Sequence, residues 1–374
     1  MRMLGATLIV VISFVGCADD SAPEGSTDPS ITGATSGAGG TTVTGAAGVA
    51  GSGGSAPGML PPGNADASAP DAADAAAADA SARDAASSSD AASADAAGGA
   101  AAGDAGSGED AGGPVACPGS ALGPGDEQAS LELDGLTRSF IVHVPAGYDN
   151  TRPIPLVLNF HGATMTAALQ QRTTGMDAKA DEAGFVVVYP EGVDQSWNAG
   201  ACCGGAASND IDDVGFARAL VASTRELVCV DPKRIYATGF SNGGRMSYRL
   251  GCEAADVFAA IAPVAGTKSF PDLENSPGCA PERPIPLLDI MGSLDSRIAA
   301  QPGQIAEWRE FNGCTDAEAE VTYREGQHSC YSYQGCTAGT SVTYCIVDGL
   351  GHAWPRSSFS ANDRIWALFE RFTL

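Results

Sequence analysis

The segment Gly239-Phe240-Ser241-Asn242-Gly243 sets a serine between two glycines, where an apolar run with strand character, Ile235 to Thr238, gives way to a helical pattern beginning at Gly243. A serine on so sharp a strand-to-helix turn sits on a nucleophile elbow, with its Oγ exposed above a sheet. Glycines at 239 and 243 let strand and helix pack closely around a strained serine backbone. The chemistry this suits is acyl transfer.

A serine hydroxyl is a weak nucleophile and needs a base in hydrogen-bond reach, itself oriented by an acid. The chain has four histidines, His143, His161, His328 and His352. In an α/β-hydrolase sheet, the setting the elbow implies, the chain order is serine, then acid, then histidine, which leaves His328 and His352. His328 lies in an excursion containing Cys and Tyr, whereas His352 follows a strand-like run in Gly349-Leu350-Gly351-His352-Ala353-Trp354-Pro355. A glycine-tight loop just past a strand end can bring a base over the serine, so His352 is the expected base. For the acid, Asp295 follows the strand-like Ile285 to Met291 in the turn Gly292-Ser293-Leu294-Asp295; Asp289, inside that apolar run, is the rival. The developing oxyanion needs two backbone N–H donors. Asn242, next after the serine, supplies one, and Ala163, in the loop Phe160-His161-Gly162-Ala163-Thr164, the other. His161 is then expected to brace that loop.

These groups need elements to carry them. Ser130 to Tyr148 reads as a hairpin turning at Asp134-Gly135. Buried strands follow at Leu156 to Phe160, Phe185 to Tyr189, Ile235 to Thr238, Ala259 to Val264 and Ile285 to Met291, with a last one at Ser341 to Val347. Helical patterns cover Thr166 to Ala183, Asp212 to Val228, Gly243 to Cys252, Ile305 to Asn312 and Ala361 to Phe372. The alternation predicts a mostly parallel central sheet with helices on both faces, and a site beyond the strand C-termini.

The first third of the chain reads differently. Met1-Arg2-Met3, the short apolar run Leu4 to Val15 and Phe14-Val15-Gly16-Cys17 form an export signal too short to span a bilayer. Its end is similar to a lipobox, in which Cys17 would be lipidated, although Phe14 departs from the usual leucine-like residue. From Ala18 to about Ala116 the residues are almost all Ala, Gly, Ser, Thr, Pro and Asp. Such a stretch buries too little apolar surface to offset its ordering entropy, and is expected to be a disordered tether reaching about 55 Å. Three segments follow: 1–17 signal, 18–116 linker, 117–374 catalytic-type domain, the last of roughly 255 residues, enough for one α/β core. The formal charge of −25 argues against nucleic acid or anionic membrane surfaces as partners. Beyond Cys17, ten cysteines lie between Cys117 and Cys345, an even number that in an exported domain predicts up to five disulfides. The adjacent Cys202 and Cys203 are expected to bond to two different partners. A metal site at His328, Cys330, Cys336 and Cys345 matches no compact zinc spacing, and no metal is expected.

The motifs HGATMT, VVVYPEGVDQSWN, CCGG, DDVGFARALV, RIYATGFSNGGRMSYRLGCE, FAAIAPVAGT and GLGHAWP, in this order from about Ser130 to Phe372, resemble exported esterases grouped with polyhydroxybutyrate depolymerases and with feruloyl and acetylxylan esterases. The resemblance implies an α/β-hydrolase fold, a triad on Ser241, Asp295 and His352, and oxyanion donors at Asn242 and Ala163. It also implies no cofactor, and ester substrates linked to polysaccharide or drawn from polyester oligomers. It sets Trp197 and Asn198 near the mouth of the site. Departures are Met291-Gly292, where the family often has His-Gly before its acid, and Gly349-Leu350-Gly351 in place of three glycines. A monomer is expected. The competing reading is a non-catalytic surface carbohydrate-binding or adhesive lipoprotein that retains the fold; binding alone would not require serine, acid, base and oxyanion loop together.

Overall fold

The computed structural model describes residues 11–12, 117–119, 122–200, 202–267 and 279–374. The expected linker and Cys17 lie outside the described residues, as does the expected signal apart from Val11–Ile12. Among the described residues no helix is long and apolar enough to cross a membrane.

The strands are β1 (Val11–Ile12), β2 (Gly125–Leu133), β3 (Leu136–Val144), β4 (Ile154–Phe160), β5 (Val186–Pro190), β6 (Val230–Phe240), β7 (Ala260–Val264), β8 (Leu287–Gly292), β9 (Glu320–Glu325), β10 (His328–Tyr333) and β11 (Val342–Val347). They form one sheet in the order β1-β2-β3-β5-β4-β6-β7-β8-β11-β10-β9. The six strands from β5 to β11 in that order are parallel, and antiparallel strands flank them on both sides. This is the α/β-hydrolase fold. The β2–β3 hairpin closes on Asp134 and Gly135, both at positive φ, as an Asp-Gly two-residue turn requires.

Every residue of β4, β5, β7 and β8 is buried. Alternate side chains serve different layers. Leu156, Leu158 and Phe160 of β4 join one core with Phe216, Leu220, Met246, Leu250 and Trp308, whereas Val157 joins the other with Met176, Ala180, Ile365 and Phe369. The first core thus belongs to α4 (Asp213–Leu227), α5 (Asn242–Glu253) and α6 (Gln301–Phe311). The second belongs to α1 (Ala167–Thr174), α2 (Met176–Ala183) and α7 (Ala361–Phe369). Between them, α3 (Gly204–Ser208) is a single short turn.

Two local expectations change. The helix predicted from Thr166 to Ala183 is two, because Gly175 takes a left-handed conformation that closes α1 and opens α2, and the Arg356 guanidinium fills the space where a side chain would stand. The region around His328 is not an excursion but an antiparallel strand on β11. Its outer neighbour β9 is mostly exposed, and its one alternating apolar pair, Val321 and Tyr323, is too short a pattern to reveal it.

All ten cysteines of the domain pair: Cys117–Cys229, Cys202–Cys203, Cys252–Cys279, Cys314–Cys336 and Cys330–Cys345. The expectation that Cys202 and Cys203 bond to different partners is therefore overturned. The other eight cysteines satisfy one another through the fold, and the neighbours are left to join within a tight turn, where Ala199 N–H donates to the Cys202 carbonyl at 2.7 Å and Cys203 N–H to the Trp197 carbonyl at 3.0 Å. Cys330, Cys336 and Cys345 are all in disulfides, so no thiolate is left for a metal beside His328.

Candidate active site

Strand β6 ends at Phe240 and α5 begins at Asn242, with Ser241 between them at φ 54° and ψ −109°. This left-handed conformation costs a non-glycine residue about 1–3 kcal/mol and persists only where the surroundings impose it. They do so by close backbone approach. A Cβ on Gly239 would come within 2.6 Å of Gly243 and 2.7 Å of the Phe160 carbonyl oxygen, and one on Gly243 would overlap the Phe160 and His161 carbonyls. Ser241 N–H donates to Val264 of β7 at 2.9 Å, and the Ser241 carbonyl accepts from Arg245 N–H at 3.0 Å in the first turn of α5.

The parallel register brings the ends of β8 and β11 to the same rim. Past β8, Ser293 N–H donates to the Val347 carbonyl and Leu294 N–H to the Leu350 carbonyl, each at 2.9 Å, while Gly349 N–H donates to Ser293 Oγ at 2.8 Å. The turn bearing Asp295 is thereby tied to the loop bearing His352. With Nδ1 protonated, His352 donates to Asp295 Oδ2 at 2.7 Å, and its Nε2 accepts from the Ser241 hydroxyl at 2.8 Å. Asp295 is buried and accepts Arg297 N–H on its other oxygen at 3.0 Å. The Phe240 ring lies against the imidazole, centroids 5.0 Å apart. Ser241, His352 and Asp295 form one continuous hydrogen-bonded chain.

Asp289, the rival acid, is fully buried elsewhere. It accepts from the Tyr248 hydroxyl and, at 3.0 Å each, from the Gln301 and Gln304 amides. Burial pushes its carboxyl up to about 6, against the pull of these donors.

On the other side of the serine, Gly162 is so close that a Cβ there would lie 3.4 Å from Ser241 Cβ. Ala163 follows it, and among the described residues neither the Ala163 nor the Asn242 backbone N–H finds a protein acceptor. Asn242 also opens a helix of 12 residues, whose N-terminus favours negative charge. His161 is buried; its Nδ1–H donates to the Gly162 carbonyl at 2.8 Å and its Nε2 accepts Gly192 N–H at 2.9 Å. Burial lowers its pKa to about 4, partly offset by the Gly162 bond, so at neutral pH it is an uncharged brace for the loop.

Trp197 and Asn198, expected near the mouth, lie behind the site. Trp197 has no exposed surface; its indole N–H donates to the His161 carbonyl at 2.9 Å and its ring packs edge-on against Phe160. The Asn242 side chain clamps the Trp197 backbone, accepting its N–H at 2.8 Å and donating to its carbonyl at 3.1 Å. Asn198 is buried too. Its N–H donates to Asp213, which pairs with buried Arg138, and its carbonyl accepts from Arg249 of α5. Both residues reach the site only through the loops they hold. Sequence reading missed this scaffold, and with it Arg297, whose Nη1 lies 3.2 and 3.4 Å from the two ring nitrogens of His352, and Leu294, whose exposure of 71 % sets an apolar side chain beside the acid. Arg297 had one signal: it is two residues past Asp295.

Away from this rim, Asp126, His143 and Asp177 bring possible metal-ligand atoms within 4.8 Å of one another. His143 bonds Asp126 through Nδ1 at 2.6 Å and Asp181 through Nε2 at 3.2 Å. Burial works against its charge, but the surrounding carboxylates of Asp126, Asp177 and Asp181 raise its pKa overall.

Residues 138–272 match the family model described as Esterase PHB depolymerase. The chain is 39 % identical over 257 residues to NocK of Nocardia uniformis subsp. tsuyamanensis, a protein bearing an esterase name, covering 60 % of this chain and 73 % of that one. It belongs to the polyhydroxybutyrate depolymerase-like esterase family. Feruloyl esterase C of Emericella nidulans is 30 % identical over 245 residues, covering 62 % of this chain and 83 % of the relative. Feruloyl esterase B of Piromyces equi is 34 % identical over 238 residues, or 58 % of this chain, which spans only 42 % of that protein's length.

Proposed function

We propose that this protein is an exported serine carboxylesterase with Ser241 as nucleophile, His352 as general base and acid, and Asp295 as the group that orients the imidazole. The observation that carries the reading is the unbroken chain from Ser241 Oγ through both ring nitrogens to a buried carboxylate. Ser241 Oγ attacks the ester carbonyl carbon as its proton passes to His352 Nε2. Asp295 holds the Nδ1–H and stabilises the imidazolium. The carbonyl oxygen gathers negative charge against the Ala163 and Asn242 N–H groups and the start of α5, each donor contributing on the order of a hundredfold in rate. Collapse of the tetrahedral intermediate breaks the C–O bond to the alcohol, which leaves with the proton from Nε2. Water, deprotonated at the same nitrogen, then releases the acid and restores Ser241.

Feruloyl or acetyl esters on polysaccharide, or hydroxyalkanoate oligomers, are the proposed substrates, in line with the names of the relatives. Five disulfides favour an oxidising compartment, and the sequence Phe14-Val15-Gly16-Cys17 suits lipid attachment there. A fluorophosphonate probe is expected to label Ser241 in the native protein, with loss of label in Ser241→Ala. Labelling that survives the substitution would end the assignment. Turnover of methyl ferulate, acetylated xylan and hydroxybutyrate oligomers then ranks the acyl groups.

A further inference from the structure

The rim of the site carries positive charge that the reaction above does not use. Arg297 Nη1 stands 3.2 Å from Nδ1 and 3.4 Å from Nε2 of His352, and 4.0 Å from Asp295 Oδ1. Both ring nitrogens already have partners, Nδ1 in Asp295 and Nε2 in Ser241, so the imidazole has no free lone pair for the guanidinium. The Arg297 side chain is 42 % exposed, whereas that of Asp295 is fully buried. Arg245 leaves the first turn of α5, four residues past the serine; burial and then the nearby charge of Arg297 hold its pKa below the usual arginine value. The half-exposed Arg297 guanidinium, close enough to Arg245 for the two charges to be felt, makes this a positive spot on a chain of formal charge −25.

The place of that charge relative to the reacting atoms says which half of a substrate meets it. The leaving alcohol takes its proton from His352 Nε2, so its oxygen comes within about 3 Å of that atom. Arg297 Nη1 is 3.4 Å from the same nitrogen. A charged group on the alcohol, a few bonds from the ester oxygen, falls within reach of the guanidinium.

We propose that Arg297 selects esters whose alcohol portion carries a carboxylate close to the ester oxygen. The inference rests on the serine-esterase reading and adds a substrate class to it. Two kinds of molecule present this chemistry, the free hydroxy-acid end of a polyester oligomer and a uronic acid unit of a polysaccharide. A guanidinium can meet either carboxylate with paired N–H donors.

The test compares kcat/KM within two matched pairs, the hydroxybutyrate dimer as free acid and as methyl ester, and acetylated galacturonic acid against its methyl ester, with p-nitrophenyl acetate as neutral reference. The acid is expected to be preferred about tenfold at low ionic strength in at least one pair, which names the source. That preference should shrink as salt rises to about 1 M, since a half-exposed charge is screened. Arg297→Gln should cut the preference about fivefold, mainly through KM, the scale of a partly exposed charge pair, and Arg297→Lys should keep most of it. Equal rates for acid and ester in both pairs, or a preference that neither salt nor Arg297→Gln changes, would overturn the proposal. The salt titration needs no variant, so a poorly folding substitution does not remove the test. Failure of the unaltered protein to hydrolyse p-nitrophenyl acetate would instead show that the esterase reading beneath it is wrong.

Discussion

The two halves of the site are held in different ways. Around Ser241 and the Gly162–Ala163 loop, backbone meets backbone: Gly239 and Gly243 have no room for a Cβ, and buried Trp197 ties His161 to Asn242 from behind. Around His352 the support is a few hydrogen bonds on an open rim, with the histidine side chain 31 % exposed and Leu294 and Arg297 facing solvent. A nucleophile and its oxyanion donors must not move as charge develops, because donors that reorient lose their advantage. A base that exchanges protons with an alcohol and then with water needs access. The contrast fits the proposed reaction, in which the nucleophile's half stays fixed and the base's half stays open.

Substitutions can break that contrast, and the largest effect is expected on the open side. Asp295→Asn should lower kcat about 10⁴-fold, because the imidazole loses the carboxylate that sets its tautomer, while stability changes little. Asp289→Asn should leave kcat nearly unchanged; steady-state kinetics on one neutral ester compares the two, and equal losses would mean that the acid is misassigned. On the packed side, Gly243→Ala should destabilise the domain by about 3 kcal/mol through overlap with the Phe160 and His161 carbonyls. Gly303→Ala in α6, with nothing within 4 Å, should be neutral or slightly stabilising in the same urea titration.

The Asp289 carboxyl has its folded pKa raised to about 6 from 3.8, so the folded state holds its proton longer than the unfolded chain does. Its contribution is most favourable below pH 4 and is lost as pH rises from about 4 to about 6, by about 3 kcal/mol. His161, lowered to about 4 from 6.5, has the opposite sign: its contribution is present above 6.5 and lost as pH falls towards 4. Stability of the protein minus that of Asp289→Asn isolates the first slope, and a difference that is flat between pH 4 and 6 would contradict the burial argument. Asn242→Ala keeps the backbone N–H at 242 but leaves the buried Trp197 N–H without its partner, while the Trp197 carbonyl retains Cys203 N–H; the expected loss is about 2 kcal/mol in chemical denaturation, below that of Gly243→Ala.

Much of the frame was legible from local pattern. The runs at 156–160, 185–189 and 259–264, apolar but for Asn159, read as strands covered on both sides, and the Asp134-Gly135 pair as a tight turn. The elbow was legible because its glycines lie within four residues of each other, and His352 because it follows the last parallel strand. Strand β9 was not, since Val321 and Tyr323 alone alternate with its polar residues, and the break at Gly175 is hidden inside an otherwise helical pattern. Trp197 was misplaced because an aromatic residue beside a polar one reads the same whether it lines a mouth or fills the space behind it.

The amino-acid order determines by itself what neighbours along the chain can decide: where strands end, which serine stands on a forced turn, and that cysteines occur in a number able to pair. Which residues meet across 50 or 100 positions is settled by strand order and register, for the parallel pairing of β8 with β11 alone brings the turn of Asp295 and the loop of His352 to one rim. The meeting of His352 with Asp295 and not Asp289, the bond between Cys202 and Cys203, and the guanidinium beside the imidazole all belong to that second kind. A contact between distant residues depends on the packing of everything that lies between them, and no short window of sequence contains it.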